Sequence, residues 1–414
     1  MTDLVAATEL SRLTSILEGL LPSYMADLQR LVDIDCGSYT KAGVDEVGAW
    51  VQEAFAELGA RVEVTPNPEP HGDTVAGILG DGDADGPTVM LIGHMDTVFD
   101  PGTVAERPFR VEGGRALGPG VSDMKGGLLA GLYAMRALRE LAGGDGARRD
   151  WLPVGRLVCV ANPDEEIGSP VSTPVISAHA EDADVAFVLE GGRANGDFVS
   201  SRKGIMDLEL RIAGRAAHAG VEPEKGRSAI LEAAHKVQAL HALNGRWPGV
   251  TVNVGVVRGG TRPNIVPSDT MLQVDLRAVR RADLEAAETA VRAIAASSTV
   301  PETTCDVRMM GRFWPMERLE RAERLVDAAI GLASDLGFPL KDAATGGASD
   351  ANTTSGLGVP SIDGLGPVGG NDHAPGEYLE IDSIVPRTAL LAGLILSAGR
   401  DPVIRGWAEA RKGR

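Results

Sequence analysis

The chain has 414 residues, 43% of them hydrophobic, which is enough for two or more domains with full cores and excludes a disordered chain. Its 40 basic and 58 acidic residues leave a net charge of −18. That charge disfavours nucleic acid or an anionic membrane as a partner, while a local cationic pocket can still admit a small anionic substrate. The cysteines Cys36, Cys159 and Cys305 are far apart, so neither a disulfide framework nor a zinc ribbon is expected. The N-terminus has no basic stretch ahead of an apolar core, and no apolar run approaches the roughly 18 residues of a membrane span. The expected location is cytoplasmic.

From about Leu10 to Leu58 apolar residues recur at helical spacing, as in Leu28, Leu31 and Val32, then Val47, Trp50, Val51 and Phe55. Gly59 closes the last of these helices. Arg61–Thr65 and Thr74–Leu79 read as strands. Asp81–Gly86 reads as an Asp-Gly turn; it loosely resembles a calcium loop but lacks the closing glutamate. Val89–Ile92 is a buried strand that runs out at Gly93. His94 and Asp96 lie just past its carboxyl end, where open α/β sheets bind their ligands. A histidine there can offer one ring nitrogen to a metal while the aspartate takes the proton on the other. Alone, the pair is read more readily as a strand cap and the start of a turn, because so short a motif often matches by chance.

The glycine-rich stretch Gly118–Gly127 leads into an apolar helix from Leu128 to about Leu141. Its spacing fits neither a P-loop nor a dinucleotide fingerprint. The glycines can instead turn the backbone tightly and aim Asp123 at the region of His94. Arg156–Ala161 is a strand that ends near Asp164, Glu165 and Glu166. Asp184–Leu189 is another, ending at Glu190. Carboxylates collected at one sheet edge repel one another unless a cation neutralises them, which favours a metal site. Glu165 and Glu166 are adjacent, so in an extended segment they point to opposite sides, which allows one to bind metal while the other faces water.

From about Arg202 the pattern changes. Asp207–Ile212, Val250–Val257 and Met271–Leu276 alternate as strands, and about 228–243 and 282–295 read as helices. This describes an α+β insert with a one-sided antiparallel sheet, ending near Arg312. A small-residue loop within it carries His218. A helical pattern returns from Met316 to Leu336. A short strand at Val359–Ile362, a glycine-rich segment with His373 and a helix over about Ser383–Ala398 follow. The expected domains are 1–201, 202–312 and 313–414, the first and last forming one catalytic domain around the insert.

The ordered motifs G-H-M-D-T-V, G-P-G-V-S-D-M-K-G-G, D-E-E-I-G-S, V-L-E-G, A-A-H-A-G and G-N-D-H resemble the di-zinc amidohydrolases of the aminoacylase and glutamate carboxypeptidase family. The resemblance spans nearly the whole chain. P-F-R-V-E-G, T-G-G-A-S-D-A and G-E-Y-L-E-I draw it nearest to the glutamate carboxypeptidases. It implies an α/β zinc-peptidase catalytic domain, with a mixed sheet flanked by helices, interrupted by a smaller α+β (ferredoxin-like) dimerisation domain. It further implies two zinc ions (Zn2+) per chain, with Co2+ able to substitute, and a homodimer acting on a small molecule or short peptide.

Carried over residue by residue, Asp123 bridges the two metals. His94 and Glu190 complete one site, and Glu166 and His373 the other. Glu165 is the general base and Asp96 orients His94. The Asp123–Met124 peptide is expected to be cis; Met124 stands where the nearest relatives carry an acidic residue. His218 is expected to reach into the partner's active site. Asn264 and Arg277 are expected at substrate contacts, with Lys203 as a further cation of the insert; the other reading of Arg277 is a strand-face charge paired with a neighbour.

Such chemistry is self-consistent, since imidazole and carboxylate ligands suit zinc. Paired metals polarise a carbonyl and activate water, and a nearby carboxylate moves the proton. Glu190 favours substrates with a free carboxylate beside the leaving nitrogen. The expected activity is release of C-terminal glutamate. An N-acyl-amino-acid deacylase of the acetylornithine or succinyl-diaminopimelate type is the alternative, and a metal-dead binding or scaffold protein is the reading from another class.

Overall fold

A computed structural model of the chain describes residues 4–80, 86–143 and 151–412. The turn expected at 81–86 lies outside the described residues except for Gly86. The chain divides into two compact units. One comprises Met1–Ser200, Arg318–Ala344 and Ser349–Arg414; the other comprises Ser201–Glu317 with Thr345–Ala348.

The first unit is built on a six-stranded sheet, in the order Arg61–Thr65, Thr74–Leu79, Arg156–Asn162, Thr88–His94, Val185–Val188, Ser361–Ile362. The last four run parallel to one another, and Thr74–Leu79 is antiparallel to both of its neighbours. Thr88–His94 is buried at every position, as a central strand covered on both faces must be. Helices Ala7–Val32, Gly126–Leu141 and Ile384–Arg400 pack together and share an apolar core with Leu13, Leu28, Leu128, Leu132, Leu390 and Leu394. Gly127 at the start of the second of these helices sits so close to the sheet that an added Cβ would lie 1.7 Å from the Leu189 carbonyl oxygen. The stretch Ile381–Arg400 has a window of mean hydropathy 1.4, but 72% of that window is buried, so it is a core helix of this unit.

Register then places the strand ends. Gly93 pairs with Ala161, His94 with Asn162, and Ile92 with Val188. Three parallel strands in this register open at one edge, so the residues that follow each of them emerge side by side. A small antiparallel sheet joins Gly369–Gly370, Tyr378–Glu380, Arg115–Leu117 and Arg110–Glu112. Its pairing of Tyr378 with Leu117 brings the chain after His373 beside the lead into the Asp123 loop.

The second unit runs strand Gly204–Ala213, helix Ala229–His241, strands Thr251–Gly259 and Asp269–Ala278, helix Arg281–Ala296 and strand Thr304–Phe313. The sheet order is second, third, first, fourth, all antiparallel. This is the ferredoxin-like β-α-β-β-α-β arrangement. Met206, Leu208, Leu210, Ile212, Leu272, Val274 and Leu276 alternate onto one face and pack with Leu240, Leu284 and Val291 from the helices. The strand Thr304–Phe313 was not expected from sequence. Its half-buried Cys305, Val307 and Met309 alternate weakly, and a register shift falls between Met309 and Gly311. The unit also runs past the expected end at Arg312, because Met316 exchanges both backbone hydrogen bonds with Arg202. Thr345–Ala348 belongs to it as well: the Arg277 Nη1 donates to the Gly346 carbonyl, the Arg202 Nη1 to that of Gly347, and the Lys203 N–H to that of Thr345.

Candidate active site

At the open edge of the six-stranded sheet the buried imidazole of His94 lies between two aspartates. Its Nδ1 is 3.0 Å from the backbone oxygen of Asp96 and 3.2 Å from the Asp96 Oδ1. Its Nε2 is 3.0 Å from the Asp123 Oδ1 and 3.9 Å from the Glu190 Oε1. The other oxygen of Asp123, Oδ2, is 3.0 Å from the Nε2 of His373, which is also 3.0 Å from the Glu166 Oε2. Residues from three strand ends and two loops thus converge, although they span nearly 280 positions of sequence, from His94 to His373.

Two triads result, His94–Asp123–Glu190 and Asp123–Glu166–His373. In each, the ligand-type atoms lie within 4.8 Å of one another. Ligand atoms about 2.0–2.1 Å from a tetrahedral zinc stand roughly 3.3 Å apart, so these spacings fit a cation in each triad. The donors also suit it, one imidazole nitrogen and two carboxylates per triad. Acceptors on the Nδ1 side of His94 leave its Nε2 lone pair for the metal.

The charges reinforce this reading. Burial pushes Glu190 well above the ordinary carboxylate range, and Asp123 pushes it further. Burial does the same to Glu165, helped by Asp350 and Glu166 and opposed by His94. Glu166 is raised by burial too, against the pull of His373. Burial also opposes the charge on Asp123, yet His373 and His94 hold its carboxyl well below the usual range. Asp123 and Glu166 hold His373 up at about 11, and Asp123 and Asp96 raise His94 against its burial. Acids and imidazoles held so close compete for protons, and a divalent cation would replace those protons among the same atoms.

Local structure sets each side chain. Glu165–Ile167 is a single 3-10 turn, not the extended segment expected, with Gly168 at φ 88° and Ser169 at φ 52° reversing the chain. The two glutamates are therefore separated by the turn rather than by strand alternation. Asp96 anchors that turn: its Oδ1 accepts the N–H of Glu165 at 3.1 Å and its Oδ2 that of Glu166 at 3.3 Å, while the Ser38 hydroxyl donates at 2.6 Å. The Asp123–Met124 peptide is cis. Met124 itself is fully buried, in contact range of Gly93 and Gly127, so it packs the core beneath the loop.

Three contributors were not legible in the sequence. Ser38 had no motif to mark it. Asp350 was read only as part of a subfamily signature; it is buried, takes hydrogen bonds from Ser169 and Asn162, and burial lifts it to about 6. Glu377, read the same way, accepts backbone N–H groups of the Asp123 loop, and burial lifts it to about 7.

The remaining expected residues lie in the second unit. His218 is exposed and pairs with Ile265 across a two-residue ladder, and the Ala219 N–H donates to the Asn264 carbonyl at 3.0 Å. His218 and Asn264 are thus neighbours. The Arg277 Nε lies 3.0 and 3.1 Å from the two Asp275 oxygens, so its strand-face ion pair is real. Lys203 is half-buried beside Thr345.

An α/β sheet edge holding two histidine–carboxylate triads that share one aspartate defines a metal-dependent hydrolase of the metallo-carboxypeptidase and amidohydrolase class. The chain belongs to peptidase family M20/M25/M40, whose profile matches residues 90–397. It is 31% identical over 383 residues to carboxypeptidase G2 of a Pseudomonas species, covering 91% of this chain and 90% of that one. It is 27% identical over 336 residues to N-acetyl-L-citrulline deacetylase of Xanthomonas campestris, covering 78% and 84%. The crystal structure of aminopeptidase PepT from Bacillus cereus shares the fold, with a TM-score of 0.71 at 24% identity over 91% of this chain and 98% of that one.

Proposed function

We propose that this enzyme cleaves the amide bond of N-acyl or peptidyl amino acids with a free carboxylate beside the scissile nitrogen, releasing C-terminal glutamate, and that it does so with two zinc ions. The observation that carries this reading is Asp123, placed 3.0 Å from each of two histidines through different oxygens. His94 and Glu190 would hold one ion, Glu166 and His373 the other, and Asp123 both. When bound, the pair would supply a Lewis acid and lower the pKa of a water.

Glu165 is not a ligand in this scheme. With the ions bound, its ionised carboxylate would take a proton from the attacking water and return it to the leaving amine. Asp96 keeps His94 and the Glu165 turn in place. A substrate carboxylate would be met by Arg277, Asn264 and Lys203. Arg277 has five N–H donors; Asp275 and Gly346 engage one on each nitrogen, which leaves a further donor on each terminal nitrogen for a ligand. His218, supplied by the partner in a homodimer, would donate to the oxyanion of the tetrahedral intermediate.

The glutamate preference is supported by the likeness to carboxypeptidase G2 and by the subfamily motifs around Asp350 and Glu377. The likeness to a citrulline deacetylase favours a second reading, deacylation of N-acetyl or N-succinyl amino acids. A panel assayed with zinc separates the two. N-blocked dipeptides ending in glutamate and N-acyl-glutamates should turn over with higher kcat/KM than N-acetylornithine, N-acetylcitrulline and N-succinyl-diaminopimelate. The reverse order would replace the first reading by the second, and hydrolysis of none of them with zinc present would refute both.

A further inference from the structure

Glu377 has no part in the scheme above, yet it is one of the best-placed carboxylates in the first unit. It is only 2% exposed. Its Oε1 accepts the backbone N–H groups of Ser122 at 2.8 Å and Asp123 at 3.0 Å, and its Oε2 accepts that of Gly120 at 3.0 Å. Among the described residues no cation pairs with it, so its charge is met by backbone dipoles alone.

The loop it holds cannot satisfy itself. Gly120 has φ 71°, and Asp123 at φ −116°, ψ 91° breaks the helical turn that begins there. These N–H groups are buried under the site without a regular ladder to receive them, and a buried N–H needs an acceptor. Glu377 supplies it on both sides of the turn. The same residue closes the loop that bears His373: its own N–H donates to the Ala374 carbonyl at 3.1 Å, and the Asn371 side chain bonds the Gly376 carbonyl at 3.1 Å. The next residue, Tyr378, pairs with Leu117 just ahead of the Asp123 loop.

We infer that Glu377 is a positioning residue, whose buried carboxylate fixes the backbone at Asp123 and ties it to the loop of His373, so that the two triads are set as one unit. The inference rests on the metal-centre reading of those triads. A carboxylate is needed because only it presents two acceptor oxygens. Glutamine has the same shape but turns an NH2 group toward at least one backbone N–H, donor against donor.

The test uses the full chain stripped of metal and titrated with zinc against a chromogenic chelator. Wild type should take up two zinc ions. Glu377→Gln should bind zinc about 10–100-fold more weakly, the usual cost of losing a residue that holds a ligand in place. The metal-free variant should melt somewhat below metal-free wild type because one backbone donor loses its acceptor, and zinc should raise its Tm less, so that the gap widens when zinc is bound. Its kcat at limiting zinc should fall while KM changes little, and Glu377→Asp, which keeps both oxygens, should recover part of the loss. A Glu377→Gln chain that binds zinc as wild type does, or one destabilised equally with and without zinc, overturns the inference and leaves the metal centre standing. If Glu377→Gln does not fold, Glu377→Asp carries the test by the same criteria, with a smaller loss of zinc affinity expected. A wild-type chain that takes up no zinc overturns the metal-centre reading itself.

Discussion

The backbone N–H of Glu165 donates to the Oδ1 of Asp96 at 3.1 Å, and that same oxygen lies 3.2 Å from the Nδ1 of His94. One buried carboxylate therefore serves both the metal side and the base side of the site. Asp96→Asn should separate charge from shape. An amide in this position presents NH2 either to His94 and Glu165 or to Glu166 and Ser38, so one set loses its acceptor. Zinc affinity and turnover should each fall about 10–100-fold. Zinc titration and steady-state assay of a folded Asp96→Asn check this, and unchanged values in both would remove Asp96 from the site.

The two adjacent glutamates should part company on mutation. Glu166 lies 3.0 Å from His373 and completes a triad, whereas Glu165 is in neither triad. Glu165→Ala should keep both zinc ions and lose at least about 100-fold in turnover, the typical worth of a general base. Glu166→Ala should lose one ion, and Asp123→Ala both. Metal analysis after gel filtration distinguishes the three variants, and equal zinc loss from Glu165→Ala and Glu166→Ala would show the assigned roles to be wrong.

His218 is exposed, and its Nδ1 accepts the nearby Gly220 N–H at 3.2 Å. On the proposed homodimeric scheme, His218→Ala should keep zinc, fold and subunit pairing while losing turnover. Mixing it with Glu165→Ala under subunit exchange gives heterodimers in which one active site has Glu165 from one chain and His218 from the other. Activity should partly return. Heterodimers that form without any recovery would rule out a role across the interface, and a fully active His218→Ala would rule out a catalytic role altogether.

Glu9 offers a pH test away from the site. Its two oxygens bind Arg400 at 2.8 Å each, and this pairing lowers its carboxyl from 4.5 to about 2. A folded-state pKa below the unfolded one gives stability that is present above about pH 4.5 and is lost as pH falls toward 2. Glu9→Gln should thus lower stability at neutral pH by about 1 kcal/mol or less, since the pair is partly exposed. The gap to wild type should narrow as pH drops through that window. Urea midpoints at neutral pH and in mild acid measure it, and a gap that stays constant would show that the ion pair contributes nothing.

Much of the candidate site was legible in the chain because its residues sit in short local patterns. Strand residues followed by His94 and Asp96, a glycine-rich turn around Asp123, and acids after two further apolar strands can each be seen within about ten residues. Apolar runs and 3.6-residue spacing also marked the central strands and the core helices, because burial on both faces or on one stripe leaves a local trace. Thr304–Phe313 left almost none, since a bulged strand with a weakly apolar face gains its place from Gly204–Ala213 beside it.

What tertiary structure alone decided was which groups meet. The parallel register of three strands, not any motif, put His94, Glu166 and Glu190 at one edge. Asp96 was readable as a partner of His94 two residues away, but not as the acceptor for the Glu165 turn 69 residues on. Glu377 was marked only as part of a subfamily signature, with no role, until the pairing of Tyr378 with Leu117 carried it under the Asp123 loop. A sequence records the periodicity of its own segments, and hydrogen bonds that cross between segments are set by the packing of the sheet and helices that carry them.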